Sequence, residues 1–446
     1  VLIIGPGLDG LITGALLGKE RFKVIYITNG RPVKGMATPL RLPGGQYSRA
    51  NYILDCRDGA LGVVLRNLGI DLDYKHLDPV DRIVLPSFEV QRPGDWVEYK
   101  RVLAGLFPNA VSALEKYFSD LWHLGREWLF LINGDGHFNF ASFPYMARYF
   151  RRTFLRYVEE LFTDPVLKSL LLVGVPASDI SLPVIAGHLI GQVFDGCYLK
   201  GGLSEIVEMI YSVFKEAGGE VIEQKKVKTI LVNGHLVTGI ELEDGEKIPC
   251  SCLVSTYDER TTYLRYLPQL SKLQDGGKPK HFHGLSYFNA YYVLEKGWES
   301  PFQPVRYYST LLSSESLKTQ EEGEGDAPLW CTVYPECFDG HQFHGLKVVT
   351  EISPLHYYKW LETNRLQDNR GNLEAYEDHV IQQLSTLVKT FCPELCLNPV
   401  GGISPRRFGE FSDRPEGQEN SWAFSVEQIL KNPLYPKSAL GNLVVT

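Results

Sequence analysis

The first ten residues read Val1-Leu-Ile-Ile-Gly-Pro-Gly-Leu-Asp-Gly10. Val1 to Ile4 is a short continuous apolar run, the pattern of a strand buried on both faces. Gly5, Gly7 and Gly10 then follow as Gly-x-Gly-x-x-Gly, and Leu8, Leu11, Ile12, Ala15 and Leu16 recur at helical spacing. A second buried run, Val24-Ile-Tyr-Ile27, closes the unit. Strand, glycine turn, helix and strand in this order are the context of a dinucleotide-binding turn. Gly5 permits the tight turn, Gly7 lets a diphosphate approach the backbone, and Gly10 lets the helix pack on the strand. The helix N-terminus offers N–H groups and partial positive charge to the phosphates.

One part of that pattern is absent. A carboxylate is expected at the end of the second strand, to bind a ribose hydroxyl. Here the stretch reads Thr28-Asn29-Gly30-Arg31, and no Asp or Glu occurs from Arg21 to Leu54. Thr28 or Asn29 would replace the carboxylate as neutral and weaker partners. Arg31 offers a second reading, a 2′-phosphate and hence NADP. Loss of dinucleotide binding is the third.

The whole chain has 446 residues, 44% hydrophobic and 22% charged, with a net charge of −8. That is ordinary globular composition, large enough for a core that needs no disulfide or metal staple. The acidic balance disfavours a dedicated nucleic-acid binder, so none is expected. No apolar run reaches the length of a spanning helix, no signal peptide precedes the first strand, and eight scattered cysteines read as reduced thiols. The expected location is cytoplasmic, with peripheral membrane contact as a variant. Val1 in place of Met, and the closing apolar run Asn442-Leu-Val-Val-Thr446, read as trimmed ends.

Downstream, helical spacing predicts helices over Asp58–Leu68, Ala110–Phe130 and Leu373–Phe391. The second of these is expected to bury Val111, Leu114, Phe118, Leu121 and Trp122 on one face. Asp71 to Tyr99 reads as short strands and turns. Phe138 to Phe162 is crowded with aromatics interleaved with Arg148, Arg151, Arg152 and Arg156. It is read as core or substrate-cavity wall, with a membrane-surface element as the alternative. Gly201 opens another helix. Val221-Ile222, Val227–Val232, His235–Leu242 and Ile248–Val254 read as a β-meander. Glu315 to Asp326 is acidic and reads as a solvated loop. Further strands are expected at Phe288–Leu294, Trp330–Val333 and Leu346–Ile352.

The Gly201–Thr256 segment carries a resemblance. Ala217-Gly-Gly-Glu-Val221, Val227-Lys-Thr-Ile230 and Gly239-Ile-Glu-Leu-Glu-Asp-Gly245 resemble one block of the phytoene desaturase and carotenoid isomerase group, within the flavin-containing amine oxidase superfamily. Tyr257 to Pro268, Arg414 to Gly417 and Ser421 to Gln428 are similar to the stretches that follow in that group. The resemblance implies an α/β fold: a Rossmann-like FAD/NAD(P)-binding domain interleaved with an α+β substrate domain. The expected division is 1–75, 186–267 and 400–446 for the dinucleotide unit, and 76–185 and 268–399 for the substrate unit. FAD is the implied cofactor, approached by Gly5, Gly7, Gly10, Thr28, Asn29, Arg31, Gly35, Val227 and Trp422. In such proteins the backbone at the position of Val227 contacts the adenine. The family's Gly-Gly-Arg after the second strand stands here as Lys34-Gly35-Met36, and a further Gly-rich motif is expected after residues 442–445.

The implied function is that of an FAD-dependent oxidoreductase, of desaturase or isomerase type, on an apolar polyene or isoprenoid substrate. The flavin then carries the redox step, and the protein supplies binding and an apolar cavity. An amine oxidase is its nearest variant. The other class is a flavin-free scaffold binding a lipid, a prenyl chain or a protein partner, as in the Rab escort and GDP-dissociation-inhibitor proteins, which are similar in fold. An NADP-binding reductase using Arg31 ranks after these. No catalytic constellation is legible, and catalytic residues are left unassigned. Trp422 and Arg407 are candidates to lie near the flavin ring, with a plain core residue and an ion-pair partner as their alternatives. Cys250, Cys252, Cys392 and Cys396 are read as buried or incidental thiols, and His281, His283, His341 and His344 as surface or hydrogen-bonding residues, so no metal is expected.

Overall fold

The computed structural model describes residues 1–33, 35–49, 54–55, 59–133, 141–175, 178–193, 196–198, 202–257, 261–268, 270, 286–298, 303–323, 328–337, 343–412, 438 and 440–445. Its first layer is a five-stranded parallel sheet. The strands are β1 (Leu2–Ile4), β2 (Ile25–Ile27), β3 (Glu220–Ile222), β4 (Leu253–Ser255) and β5 (Leu443–Val445), in the order β3-β2-β1-β4-β5. Helix α1 (Leu8–Lys19) crosses from β1 to β2, and α2 (Gly202–Glu216) leads into β3. This is the doubly wound order whose ligand crevice lies at the carboxyl ends of the strands, where the order reverses. The α/β, Rossmann-like expectation is borne out.

The sheet is buried on both faces, so its strands are apolar runs without alternation. On one side Ile3, Leu11, Tyr26, Ile206, Ile210 and Phe214 form a core beneath the two helices. On the other, Leu2, Ile4, Ile27 and Leu253 pack against an antiparallel meander of Val227–Asn233, Leu236–Leu242 and Lys247–Pro249. The meander is shorter than its sequence promised. Val221-Ile222 and the end of Ile248–Val254 belong to β3 and β4 of the parallel sheet instead. Local alternation does not tell an edge hairpin from a buried parallel strand of three residues; the long-range partner decides.

A seven-stranded mixed sheet forms the second layer. Its order is Leu397–Ile403, Ser286–Trp298, Phe343–Ile352, Trp330–Cys337, Val305–Tyr308, Asp81–Leu85 and Phe88–Arg92. Helix Arg370–Phe391 packs on it through Tyr376, Val380, Leu384 and Val388. The other core is helical and aromatic. Helix Val111–Asn133 turns Leu114, Tyr117, Phe118, Leu121, Leu124, Trp128 and Leu131 inward. Val111 and Trp122, expected on that face, are 38% and 37% exposed. Trp122 follows Leu121 directly and is therefore rotated by about 100° around the helix, off the stripe.

Within 138–162 the described aromatics Phe143, Tyr149, Phe154, Tyr157 and Phe162 are buried in the same core, and Arg148 and Arg156 are exposed. Arg148, Arg151 and Arg152 lie over the rings of Tyr149, Phe150 and Tyr157 at 5.6, 5.3 and 5.5 Å. No helix among the described residues is long and apolar enough to cross a membrane.

Two further expectations are corrected. The acidic stretch is not a loop: Ser314–Glu322 is a helix, opened by a Ser313–Ser316 capping box and closed by Gly323 at φ 65°. Leu317 anchors it at 1% exposure, so one buried leucine outweighs the run of charges. Cys250, Cys252, Cys331, Cys392 and Cys396 are free, but Cys197 is disulfide-bonded, against the expectation of reduced thiols throughout.

Candidate dinucleotide site

The carboxyl edge of the parallel sheet gathers Gly5 and Gly7 after β1, Thr28 and Asn29 after β2, Glu223 after β3, and Thr256 and Tyr257 after β4. The glycines explain themselves. Gly5 and Gly7 take φ of 129° and 115°, a region that excludes side chains on steric grounds. A Cβ at Gly5 would meet the Thr256 hydroxyl at 2.3 Å, whereas one at Gly7 would meet nothing within 4 Å. A Cβ at Gly10 would sit 2.6 Å from the ring of Tyr26, so the close packing of α1 on β2 depends on that glycine. The Tyr26 hydroxyl donates to the Gly7 carbonyl at 2.7 Å, which ties the turn to the strand beneath it. Burial, with Asp9 nearby, holds that phenol protonated far beyond its usual range. Gly35 completes the turn from the other side: a Cβ there would come 3.3 Å from the Gly7 Cα.

This end fits a diphosphate. Gly7 opens α1, makes no side-chain cap, and faces open space. The first-turn N–H groups are therefore available to an anion of the kind helix N-termini receive.

The adenosine end does not fit. Thr28 is fully buried; its N–H donates to the Ile222 carbonyl at 3.1 Å, and its hydroxyl donates to the Arg31 carbonyl of its own turn. Asn29 is 5% exposed with φ 58°. Its Nδ2 donates to the hydroxyls of Tyr257 at 2.7 Å and Tyr266 at 3.0 Å, and its Oδ1 accepts from the Val227 N–H at 2.8 Å. The Val227 N–H, implied as an adenine contact, is thus already bonded within the chain. Arg31 is also engaged: its guanidinium donates to the Glu410 carbonyl at 2.7 Å, tying this turn to helix Pro405–Ser412. The NADP alternative needs that guanidinium turned toward a ribose phosphate. Glu223, the residue after β3, accepts from the Val33 N–H at 2.7 Å.

The structure therefore brings Gly5, Gly7, Gly10 and Gly35 together, and separately binds Thr28, Asn29, Arg31 and Val227 into the protein's own hydrogen bonds. Trp422 lies outside the described residues, as do His281, His283 and His341. Arg407 is an ion-pair partner: its Nε and NH2 donate to Glu377 at 3.0 and 2.5 Å, and Ser404 donates to the same carboxylate. No cluster that could hold a metal occurs among the described residues.

Sequence reasoning missed Tyr257 and Tyr266. The signal was present in one place: a bulky phenol directly after the Ser255-Thr256 end of a central strand, where a crevice needs room. The arrangement is one of neutral side-chain hydrogen bonds in a buried setting, where each partner lost exposes another.

No family model matches the chain. It is 23% identical to the phytoene desaturase (neurosporene-forming) of Rhodobacter capsulatus over 60% of this chain and 54% of that protein. It is also 23% identical to the inactive all-trans-retinol 13,14-reductase of Danio rerio, over 88% of this chain and 71% of that one. The chain thus spans about half the length of the desaturase it matches. Among solved structures, an oxidoreductase from Methanosarcina mazei superposes with a TM-score of 0.67 at 13% identity, covering 100% of this chain and 93% of that one. A redesigned putrescine oxidase does so with 0.61 at 11%, covering 100% and 92%. At those identities the structural likeness is one of fold. Joined to the Gly5–Gly10 turn and the Gly201–Thr256 block, these likenesses make the chain similar in sequence to phytoene desaturases and similar in fold to an oxidoreductase and an amine oxidase of known structure.

Proposed function

We propose that the chain is an oxidoreductase of desaturase or isomerase type, with FAD as cofactor and an apolar polyene or isoprenoid as substrate. The observation that carries this reading is the Gly5–Gly10 turn at the switch point of the β3-β2-β1-β4-β5 sheet, open above Gly7. The phytoene desaturase name of one relative and the inactive all-trans-retinol 13,14-reductase name of another support the substrate class. In this reading residues 1–75, 186–267 and 400–446 form the dinucleotide unit, and 76–185 and 268–399 the substrate unit. Gly5, Gly7, Gly10 and Gly35 form the diphosphate end of the cofactor site, and Trp422 approaches the ring. No side chain is assigned to a chemical step.

A second reading, a flavin-free protein that binds a lipid or protein partner on the same scaffold, is favoured by one observation. Thr28, Asn29 and Val227 are bonded to the chain itself rather than left open for an adenosine. The experiment that separates them is the visible spectrum of the purified protein before and after FAD is added. A bound flavin band that bleaches on anaerobic incubation with an apolar polyene supports the enzyme. A protein that takes up no flavin and co-purifies with lipid supports the scaffold.

A further inference from the structure

We propose that Asn29 is an internal occupant of the adenosine subsite: its carboxamide takes the hydrogen bond that an adenine would make, and nucleotides bind only when it leaves. The inference rests on reading the Gly5–Gly10 turn as a dinucleotide site, and it deepens that reading.

The argument is one of matched groups. A nucleobase edge presents an acceptor next to a donor. The Asn29 carboxamide presents the same pair, with Oδ1 on the Val227 N–H at 2.8 Å and Nδ2 between the hydroxyls of Tyr257 and Tyr266 at 2.7 and 3.0 Å. Asn29 follows β2, where a ribose is met in such a crevice, and Val227 is the position at which the resemblance implies an adenine contact. Tyr257 and Tyr266 also lean on each other, with ring centroids 5.3 Å apart, and both are buried in the core between sheet and meander. The occupant is held from behind as well. Thr28 is anchored to β3 and to its own turn, and Arg31 to the carbonyl of Glu410. An adenosine entering here breaks three hydrogen bonds before it makes any. Apparent affinity is then reduced by the small fraction of molecules in which Asn29 has swung away.

The backbone provides a clean test. Asn29 sits at φ 58°, where glycine is at ease, so Asn29→Gly removes the carboxamide without straining the turn. The wild type serves as the plugged control. Binding of ADP and of inorganic pyrophosphate to the full chain is measured by calorimetry, alongside FAD uptake by absorbance. The wild type is expected to bind ADP no better than pyrophosphate, because adenosine adds nothing. Asn29→Gly is expected to prefer ADP by about tenfold or more. A wild type that already prefers ADP tenfold over pyrophosphate overturns the proposal, as does an Asn29→Gly protein that folds and gains nothing. Where Asn29→Gly does not fold, hydrogen exchange on the wild type decides. Saturable protection of the Val227 amide by ADP overturns the proposal, and unchanged exchange at millimolar ADP upholds it. The outcomes separate the two claims. Wild type purified with a full complement of FAD sinks the internal occupant and keeps the flavoenzyme; Asn29→Gly that gains ADP but takes up no FAD upholds the occupant and sinks the flavoenzyme.

Discussion

Arg92 grips Asp81 through its Nε, 2.9 Å from Oδ1, and through its NH2 on the other carboxylate oxygen, at the edge of the seven-stranded sheet where neither side chain reaches solvent. Arg306 closes the same carboxylate from the next strand, Nε to Oδ2 at 2.6 Å. Burial alone would push the Asp81 carboxyl up, but the two guanidiniums outweigh it and hold it below the usual carboxylate range. The pairing joins Asp81–Leu85, Phe88–Arg92 and Val305–Tyr308, the three strands that carry the sheet to the helical core.

Asp81→Asn is therefore expected to cost about 3–5 kcal/mol, because it strands two buried cations rather than one surface charge. Urea denaturation of the variant against wild type measures it, and a loss under 1 kcal/mol would show the cluster to be dispensable. The pH dependence has a definite sign. A carboxyl lowered in the folded state stabilises above its unfolded pKa, and that contribution disappears as pH falls through the folded value. Wild type should lose stability below about pH 4 more steeply than Asp81→Asn does.

Gly10 is the second case, and it tests the helix–sheet contact beneath the glycine turn. Its missing Cβ would lie 2.6 Å from the Tyr26 ring, and that ring is held by its hydroxyl on the Gly7 carbonyl and by complete burial. Gly10→Ala should cost about 1–3 kcal/mol as an overpacking change. It should do so although alanine is the better helix former at an exposed site. Thermal unfolding of Gly10→Ala, Tyr26→Phe and the double variant reads the coupling. Additive losses would mean that the ring and the helix do not press on each other.

Much of this site was legible from sequence, because it is local. Gly5, Gly7 and Gly10 need only their neighbours to be read. So does the absence of a carboxylate after β2. What sits opposite Asn29 was not legible. Val227 is 198 residues away and Tyr266 is 237 away, and the contact arises only once the meander has folded over the sheet. The same limit put Val221-Ile222 in the meander, a three-residue strand whose place in the parallel sheet comes from its partner β2. It also hid the helix at Ser314–Glu322, where a capping serine pair and Leu317 prevail over an unpromising composition. Arg407 looked like a flavin contact by position along the chain; its partner Glu377 lies on the helix that backs the other sheet.

That pairing makes Arg407 a stability residue. Glu377 is 5% exposed and receives two hydrogen bonds from Arg407 besides those of Ser404. Arg407→Ala leaves a buried carboxylate short of its cation and should cost about 3 kcal/mol or more. Arg407→Lys, which lacks the paired donors, should recover part of that. The check is Tm together with nucleotide binding. A fall in Tm with unchanged pyrophosphate affinity fits the structural role, whereas unchanged Tm with lost binding would move Arg407 into the cofactor site.

Thr28 carries the last prediction, because restoring the missing acidic residue is the obvious route to a flavin site. By position Thr28→Glu places a carboxylate where a ribose would be met. The side chain it replaces is fully buried and turned back onto the Arg31 carbonyl, while Asn29 beside it still occupies the Val227 N–H. A carboxylate forced into that setting is desolvated without a cation, so the single variant should lose about 2 kcal/mol or more and gain no affinity for ADP. Removing the carboxamide at the same time gives the new carboxylate a ribose to bind. Thr28→Glu combined with Asn29→Gly should therefore bind ADP more tightly than Asn29→Gly alone, and should recover stability when ADP is present. Calorimetry and ligand-shifted thermal unfolding on the four proteins measure both quantities. A gain in ADP affinity from Thr28→Glu by itself would mean that the ribose position was open all along and that only its charge was missing.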